Sequence, residues 1–288
     1  MIAVVGATGN TGRAAVKELR ALGEDPLCVV RNADKAREVL GADAKIAVAE
    51  VTDRAALEKA LGGVKRVFVV TGHNPQSGEQ QINILEAAKA AGAEYIVKVS
   101  GGKVMATADS ETPVGRGHHA VEQSMMKSGL GWVILRPGLF MQNTLAQAAL
   151  IKNESKMALP FAGDLPLAFI DTRDAGAVGA HVVRDAKKYA GQTIEYSGRQ
   201  STYAAFARDF SDVLGKPIAY IGDSFEQAEQ ALKARGLPDW LIQHQLTIAR
   251  LAAKGGFSTE NSQPVKDILG RDPITTRQFV QDHKAAFS

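Results

Sequence analysis

A single cysteine in 288 residues, Cys28, excludes an internal disulfide. It sits in the apolar run Leu27-Cys28-Val29-Val30, so a small buried hydrophobe in a reducing compartment is the expected reading. Charge of one sign is equally scarce: 34 Lys and Arg against 31 Asp and Glu leave a net charge of +3. The charges are interspersed, and Lys187-Lys188 reads as a solvated helix end, which argues against nucleic acid as a partner. No stretch approaches the roughly 18 apolar residues of a membrane span. No signal peptide is expected either, because the opening apolar residues run at once into a glycine-rich turn. A cytoplasmic protein with no membrane contact is therefore expected. Tandem repeats and low-complexity linkers are also missing, leaving a length suited to one large domain or one domain with a small appendage.

What is present is an alternation of short apolar runs and helical patterns. Strands are expected at Ile2–Val5, Leu27–Val30, Lys45–Val51, Val67–Val70, Tyr95–Val99 and Trp132–Leu135. Helices are expected between them at Arg13–Leu22, Asp34–Leu40, Arg54–Leu61, Gln80–Ala91 and His118–Ser128, with Gly23 ending the first and Asp53 capping the third. The strand runs are apolar throughout instead of alternating, as a parallel sheet covered on both faces requires. Repeated strand–helix units imply right-handed crossovers and an α/β, Rossmann-type doubly wound parallel sheet. The expected division is a dinucleotide-binding domain over 1–150, with segments near 165–200 returning to it, and a small C-terminal α+β substrate lobe, mostly helical, over 201–288. Within that lobe, 224–255 reads as helix broken near Gly236-Leu237-Pro238.

Gly6-Ala7-Thr8-Gly9-Asn10-Thr11-Gly12 lies between the first strand and the first helix. Gly6 permits a tight turn, Gly9 lets backbone approach a pyrophosphate, and Gly12 lets helix and strand pack closely. The helix N-terminus then offers free N–H groups to phosphates, which makes Thr8, Asn10 and Thr11 candidate cofactor residues as well. The end of the second strand selects the cofactor. A carboxylate there would bind a ribose 2′-OH, but this chain carries Arg31, then Asn32, with Lys35 a turn later. A guanidinium pairs with a 2′-phosphate, so NADP(H) is expected over NAD.

The opening turn, the stretch Val30-Arg31-Asn32-Ala33-Asp34-Lys35-Ala36 and the run from Ser128 through Trp132, Arg136 and Gly138 together resemble the NmrA-like atypical short-chain dehydrogenases. Phe140-Met141-Gln142-Asn143 and Asp171-Thr172-Arg173-Asp174 continue the resemblance, which is most specific over 1–175. It implies a Rossmann domain with a small substrate lobe, and one of two functional kinds. One is an NADPH-dependent reductase of quinones, dyes or azo compounds, acting on a small conjugated or aromatic acceptor. The alternative is a non-catalytic dinucleotide sensor that regulates through a protein partner. The resemblance also places Asp53 near the adenine.

None of the five tyrosines precedes a lysine by four residues, so the Tyr-x-x-x-Lys pair of ordinary short-chain dehydrogenases is missing. Tyr95-Ile96-Val97-Lys98 is one residue short and falls on a strand. The corresponding helix offers His118 and Glu122, four apart and hence on one face, as a candidate catalytic pair or a plain stabilising pair. Metal binding by His118 and His119 is not expected, because neighbours on a helix point to different faces. Quinone reduction asks little of a protein beyond stacking the acceptor on the nicotinamide and excluding water. Thr71, Gly72 and His73 follow the fourth strand and are expected beside the riboses, and Ser100 and Lys103 follow the fifth, near the nicotinamide. Phe140, Met141 and Asn143 lead out of the sixth strand as candidate substrate residues. Trp240 reads as core packing or a dimer contact before a lid, which leaves a homodimer open. No separate flavin site is evident.

Overall fold

The computed structural model describes residues 1–288. Its first half follows the apolar runs closely: β1 (Ile2–Val5), α1 (Asn10–Ala21), β2 (Leu27–Val30), α2 (Ala33–Leu40), β3 (Ile46–Val48), α3 (Arg54–Ala60), β4 (Arg66–Val69), α4 (Ser77–Ala90), β5 (Tyr95–Val99), α5 (Pro113–Lys127) and β6 (Gly131–Pro137). The chain continues through β7 (Leu139–Phe140), a 3-10 segment (Met141–Gln147), α6 (Ala148–Glu154), β8 (Lys156–Leu159), β9 (Leu167–Ile170), α7 (Thr172–Arg184), α8 (Ala186–Tyr189) and β10 (Gln192–Tyr196). It closes with β11 (Gln200–Ser201), α9 (Tyr203–Leu214), β12 (Ala219–Gly222), α10 (Phe225–Ala234), α11 (Asp239–Ala253), α12 (Gln263–Leu269), α13 (Thr276–Asp282) and α14 (Lys284–Phe287). No helix is long and apolar enough to cross a membrane.

Two compact units emerge. The first comprises Met1–Pro137, Thr172–Glu195 and Asp267–Gly270, and the second Gly138–Asp171, Tyr196–Lys266 and Arg271–Ser288. The expected boundary at 150 differs from this division, and the reason lies at Pro137. Beyond it Gly138 N–H donates to the Tyr196 carbonyl, and Leu139–Phe140 pairs in parallel with Phe169–Ile170 of another sheet. The second unit is accordingly more than a C-terminal helical lobe. It holds a three-stranded sheet ordered β11-β9-β7 and the parallel pair β12-β8. Its core is aromatic, with Phe169, Phe206, Phe210, Phe279 and Phe287 all buried.

The first unit carries a seven-stranded sheet in the order β10-β6-β5-β4-β1-β2-β3. Strands β1 to β6 are joined by parallel ladders throughout. The chain builds outward from β1 through β2 and β3, then returns to add β4, β5 and β6 on the other side. Between β1 and β4 the connections diverge, and their carboxyl ends form the crevice where open α/β sheets bind ligands. On one face Val67, Val69, Ile96 and Ile134 pack with Leu57, Leu61, Ile84, Leu85, Val121 and Met125 from α3, α4 and α5. Cys28 is wholly buried in β2, and burial pushes its thiol up to about 11.

Small residues set how closely the helices lie. A Cβ on Gly176 of α7 would stand 2.5 Å from the Thr11 carbonyl of α1, so the two helices touch backbone to backbone. Gly78 of α4 and Gly117 of α5 meet in the same way, a Cβ on Gly78 falling 2.6 Å from the Gly117 Cα. That second contact seats the N-terminal half of α5, and with it His118, deep against the sheet.

Candidate functional site

The glycine turn is shaped by crowding at the switch point. Gly6 has φ +89°, and a Cβ there would lie 2.0 Å from the Val70 carbonyl that follows β4. A Cβ on Gly12 would lie 2.1 Å from the Gly6 carbonyl, so any side chain would push α1 off β1. Gly9 differs: a Cβ there meets nothing nearer than the Gly6 carbonyl at 3.6 Å. Space at Gly9 is open on the side where helix α1 begins. Gly9 is also the N-cap of α1, and no side chain caps that end. The first-turn N–H groups thus remain for a ligand, with the positive end of the helix behind them. Thr8, Gly9 and Asn10 are exposed while Thr11 is buried.

At the end of β2, Arg31 and Lys35 are both exposed, and neither enters an ion pair. Asn32 is the N-cap of α2, accepting from the Lys35 N–H at 2.9 Å, which holds Lys35 on the first turn beside Arg31. A dinucleotide with a 2′-phosphate fits this arrangement: an open, uncapped glycine cradle for the pyrophosphate and two free cations at the neighbouring strand end. Asp53 caps α3, accepting from Ala56 N–H at 3.0 Å. Thr71 Oγ1 accepts from Gln81 Nε2 at 2.8 Å, which ties the strand end after β4 to α4. Gly72 and His73 are exposed, and the His73 ring meets the edge of the His118 ring at 5.5 Å.

Past β5 the site turns inward. Ser100, His118 and Glu122 are all buried, whereas Lys103 is exposed. Ser100 Oγ donates to Glu122 Oε1 at 2.6 Å. Arg136 of β6 donates to both Glu122 oxygens, at 3.2 and 2.6 Å, and to Glu195 at 3.2 Å. Burial opposes the Arg136 charge, but the bonds to Glu122 and Glu195 outweigh it and raise its pKa. Glu122 is therefore the anchor between α5 and β6, while Ser100 hangs from it at the strand end.

His118 has a different companion. Lys98 of β5, 1% exposed, places its Nζ 2.8 Å from His118 Nδ1 and donates to the Val99 carbonyl at 3.3 Å. Burial lowers the Lys98 pKa to about 7, with the Glu122 charge opposing that fall and Arg136 adding to it. The Cδ2–Nε2 edge of His118 faces Gly101, where an added Cβ would touch Cδ2 at 2.9 Å. Lys98 falls outside the Tyr-x-x-x-Lys pattern, standing three residues after Tyr95 on a strand. The signal was there in another form: a lysine inside an otherwise apolar parallel strand is a buried charge, and a buried charge demands a partner.

The candidate substrate residues all fall in the second unit. Phe140 is half-buried in β7, Met141 is taken into the apolar core with Phe169 and Ile151, and Asn143 is exposed on the 3-10 segment. Trp240 is half-buried in α11.

Residues 1–262 match the NmrA-like family. The NAD(P)H azoreductase of Xenophilus azovorans is 32% identical over 288 residues, covering 100% of this chain and 99% of that protein. Quinone oxidoreductase 2 of Escherichia coli is 30% identical, with 97% of each chain covered. The structure of an NADPH-dependent quinone oxidoreductase from Escherichia coli in complex with NADPH superposes with a TM-score of 0.87 at 28% identity, covering 98% of this chain and 99% of that one.

Proposed function

This chain belongs to the NmrA-like family, and from that membership we propose that it is an NADPH-dependent reductase of a small conjugated acceptor, a quinone or an azo compound. The observation that carries the reading is the open cradle at Gly9, uncapped and set beside the free cations Arg31 and Lys35. Relatives named as an NAD(P)H azoreductase and a quinone oxidoreductase over nearly the full length support the choice of acceptor.

The bound dinucleotide would supply a hydride, which the acceptor takes up together with one proton. The residues divide the remaining work. The backbone from Gly6 to Gly12 receives the pyrophosphate, and Arg31 with Lys35 receives the 2′-phosphate. Thr71 to His73 flank the riboses, and Ser100 and Lys103 line the approach to the nicotinamide. Asp53, which caps α3, sits at the adenine end of this order. His118 is the proton donor, since its Nε2 edge faces the backbone just past β5. Glu122 acts through Arg136 and Ser100, holding α5 in register with β6. Phe140 and Asn143 are the candidates for acceptor recognition. A reducing compartment, the cytoplasm, suits NADPH chemistry and the single buried thiol of Cys28.

The test is oxidation of NADPH and of NADH, followed by absorbance, with benzoquinones, naphthoquinones and azo dyes as acceptors. Turnover with a preference for NADPH supports the reading. Tight NADPH binding without turnover on any acceptor would replace it with that of a dinucleotide sensor.

A further inference from the structure

A lysine within a buried strand is costly unless the fold uses it. Lys98 lies between Val97 and Val99 in β5, and its ammonium touches the one imidazole that faces the backbone beyond that strand. The charged and titratable groups around it come from three neighbours. Helix α5 brings His118 and Glu122, β6 brings Arg136, and the segment after β4 brings His73, whose ring meets that of His118. The polar side chains that helix α4 buries on the same face, Ser77 and Gln81, are uncharged.

The hydrogen-bond inventory decides what this contact means. Below about pH 7, where Lys98 holds its proton, the ammonium has donors and no acceptor, so at 2.8 Å it requires the lone pair of His118 Nδ1. The His118 proton then resides on Nε2, the edge facing Gly101. We propose that Lys98 is a positioning residue that sets the Nε2–H tautomer of His118 and feeds a proton through the ring, so that Lys98 and His118 together form the proton-supplying pair of the site. This inference rests on the reductase reading for its chemistry, while the tautomer stands apart from it.

The step balances. The acceptor takes a hydride from the dinucleotide and a proton from Nε2 of His118. Nδ1 takes a proton from the Lys98 ammonium as Nε2 loses its own, so the ring stays neutral and Lys98 becomes a neutral amine. A proton from water taken up at Nε2, with Nδ1 returning its proton to Lys98, restores the starting state. A lysine pKa brought down to about 7 by burial suits such a cycle, because loss and recovery of the proton are then both easy near neutrality. The missing Tyr-x-x-x-Lys is thereby replaced by a lysine on a strand and a histidine on the following helix, 20 residues apart in sequence.

The experiment has two arms. In the dinucleotide-free protein between about pH 6 and 7, ¹⁵N NMR of the histidine ring nitrogens should show His118 neutral, with Nδ1 bare and Nε2 protonated. An Nδ1–H or doubly protonated His118 would overturn the proposal, and this arm needs neither turnover nor a variant. In the second arm, Lys98→Met should lower kcat by about 10²-fold with an unchanged KM for NADPH, and should abolish the Nε2–H preference. An unchanged kcat in the folded variant would also overturn it. A correct tautomer in a protein that reduces nothing would sink the reductase reading and the proton feed with it, leaving the tautomer assignment in place.

Discussion

Glu122 of α5 accepts two hydrogen bonds from Arg136 of β6, at 2.6 and 3.2 Å, with the carboxylate side chain only 2% exposed. Its partner is 16% exposed and retains a second carboxylate, Glu195. Removing Glu122 takes two of the three carboxylate bonds from a largely buried guanidinium, leaving it Glu195 alone, and frees Ser100. Glu122→Ala should therefore lower the unfolding free energy by about 3 kcal/mol in urea denaturation. A loss within experimental error would show that the pair does not hold α5 on the sheet.

The glycines separate folding from binding. Gly9→Ala adds a methyl where the nearest atom is 3.6 Å away, in extended backbone at φ −74°, so its melting temperature should match wild type. The methyl projects into the cradle, and NADPH affinity should fall by about tenfold or more. Gly12→Ala collides with the Gly6 carbonyl at 2.1 Å and should lose both stability and binding. Calorimetry and NADPH titration on the two variants check this. Equal behaviour of the two would mean the cradle is misassigned.

Cofactor choice rests on Arg31. Arg31→Ala removes a charge-assisted partner of the 2′-phosphate, and should raise the Kd for NADPH by about 10- to 100-fold. The Kd for NADH, which has no such phosphate, should move little. Fluorescence titration of both cofactors gives the comparison, and parallel losses would detach Arg31 from the phosphate.

Lys98 also makes stability depend on pH. Its pKa is 10.5 in the unfolded chain and about 7 in the fold. Between those values the unfolded state binds more protons, so stability rises with pH. The penalty for the buried charge is complete below about pH 7 and gone above 10.5. Relative to wild type, Lys98→Met should therefore gain most at low pH, with the gain shrinking toward the alkaline end. Urea denaturation across a pH series tests this, and a pH-independent difference would contradict it.

Much of this could be read in the chain beforehand. The apolar runs and the glycines marked β1, β2, β4, β5 and β6. Short strands without a strong pattern escaped: Lys156–Leu159 and Ala219–Gly222 find each other across 60 residues of chain, and nothing local announces it. The division at Pro137 escaped for the same reason, since a strand's pattern does not say which sheet it will join. At the site, helical spacing alone put His118 and Glu122 on one face. Their companions come from other strands, Lys98 from β5 and Arg136 from β6. A reading that moves along one helix cannot pair residues across the sheet.

The central claim, reduction of a conjugated acceptor by bound NADPH, is tested most directly by a single-turnover measurement. Protein saturated with NADPH, or with its 4-deuterated form, is mixed in a stopped-flow instrument with a naphthoquinone or an azo dye. The account predicts rapid loss of the NADPH absorbance on mixing, slowed severalfold by deuterium at the transferred position. Bound NADPH that stays reduced in the presence of every acceptor would contradict it.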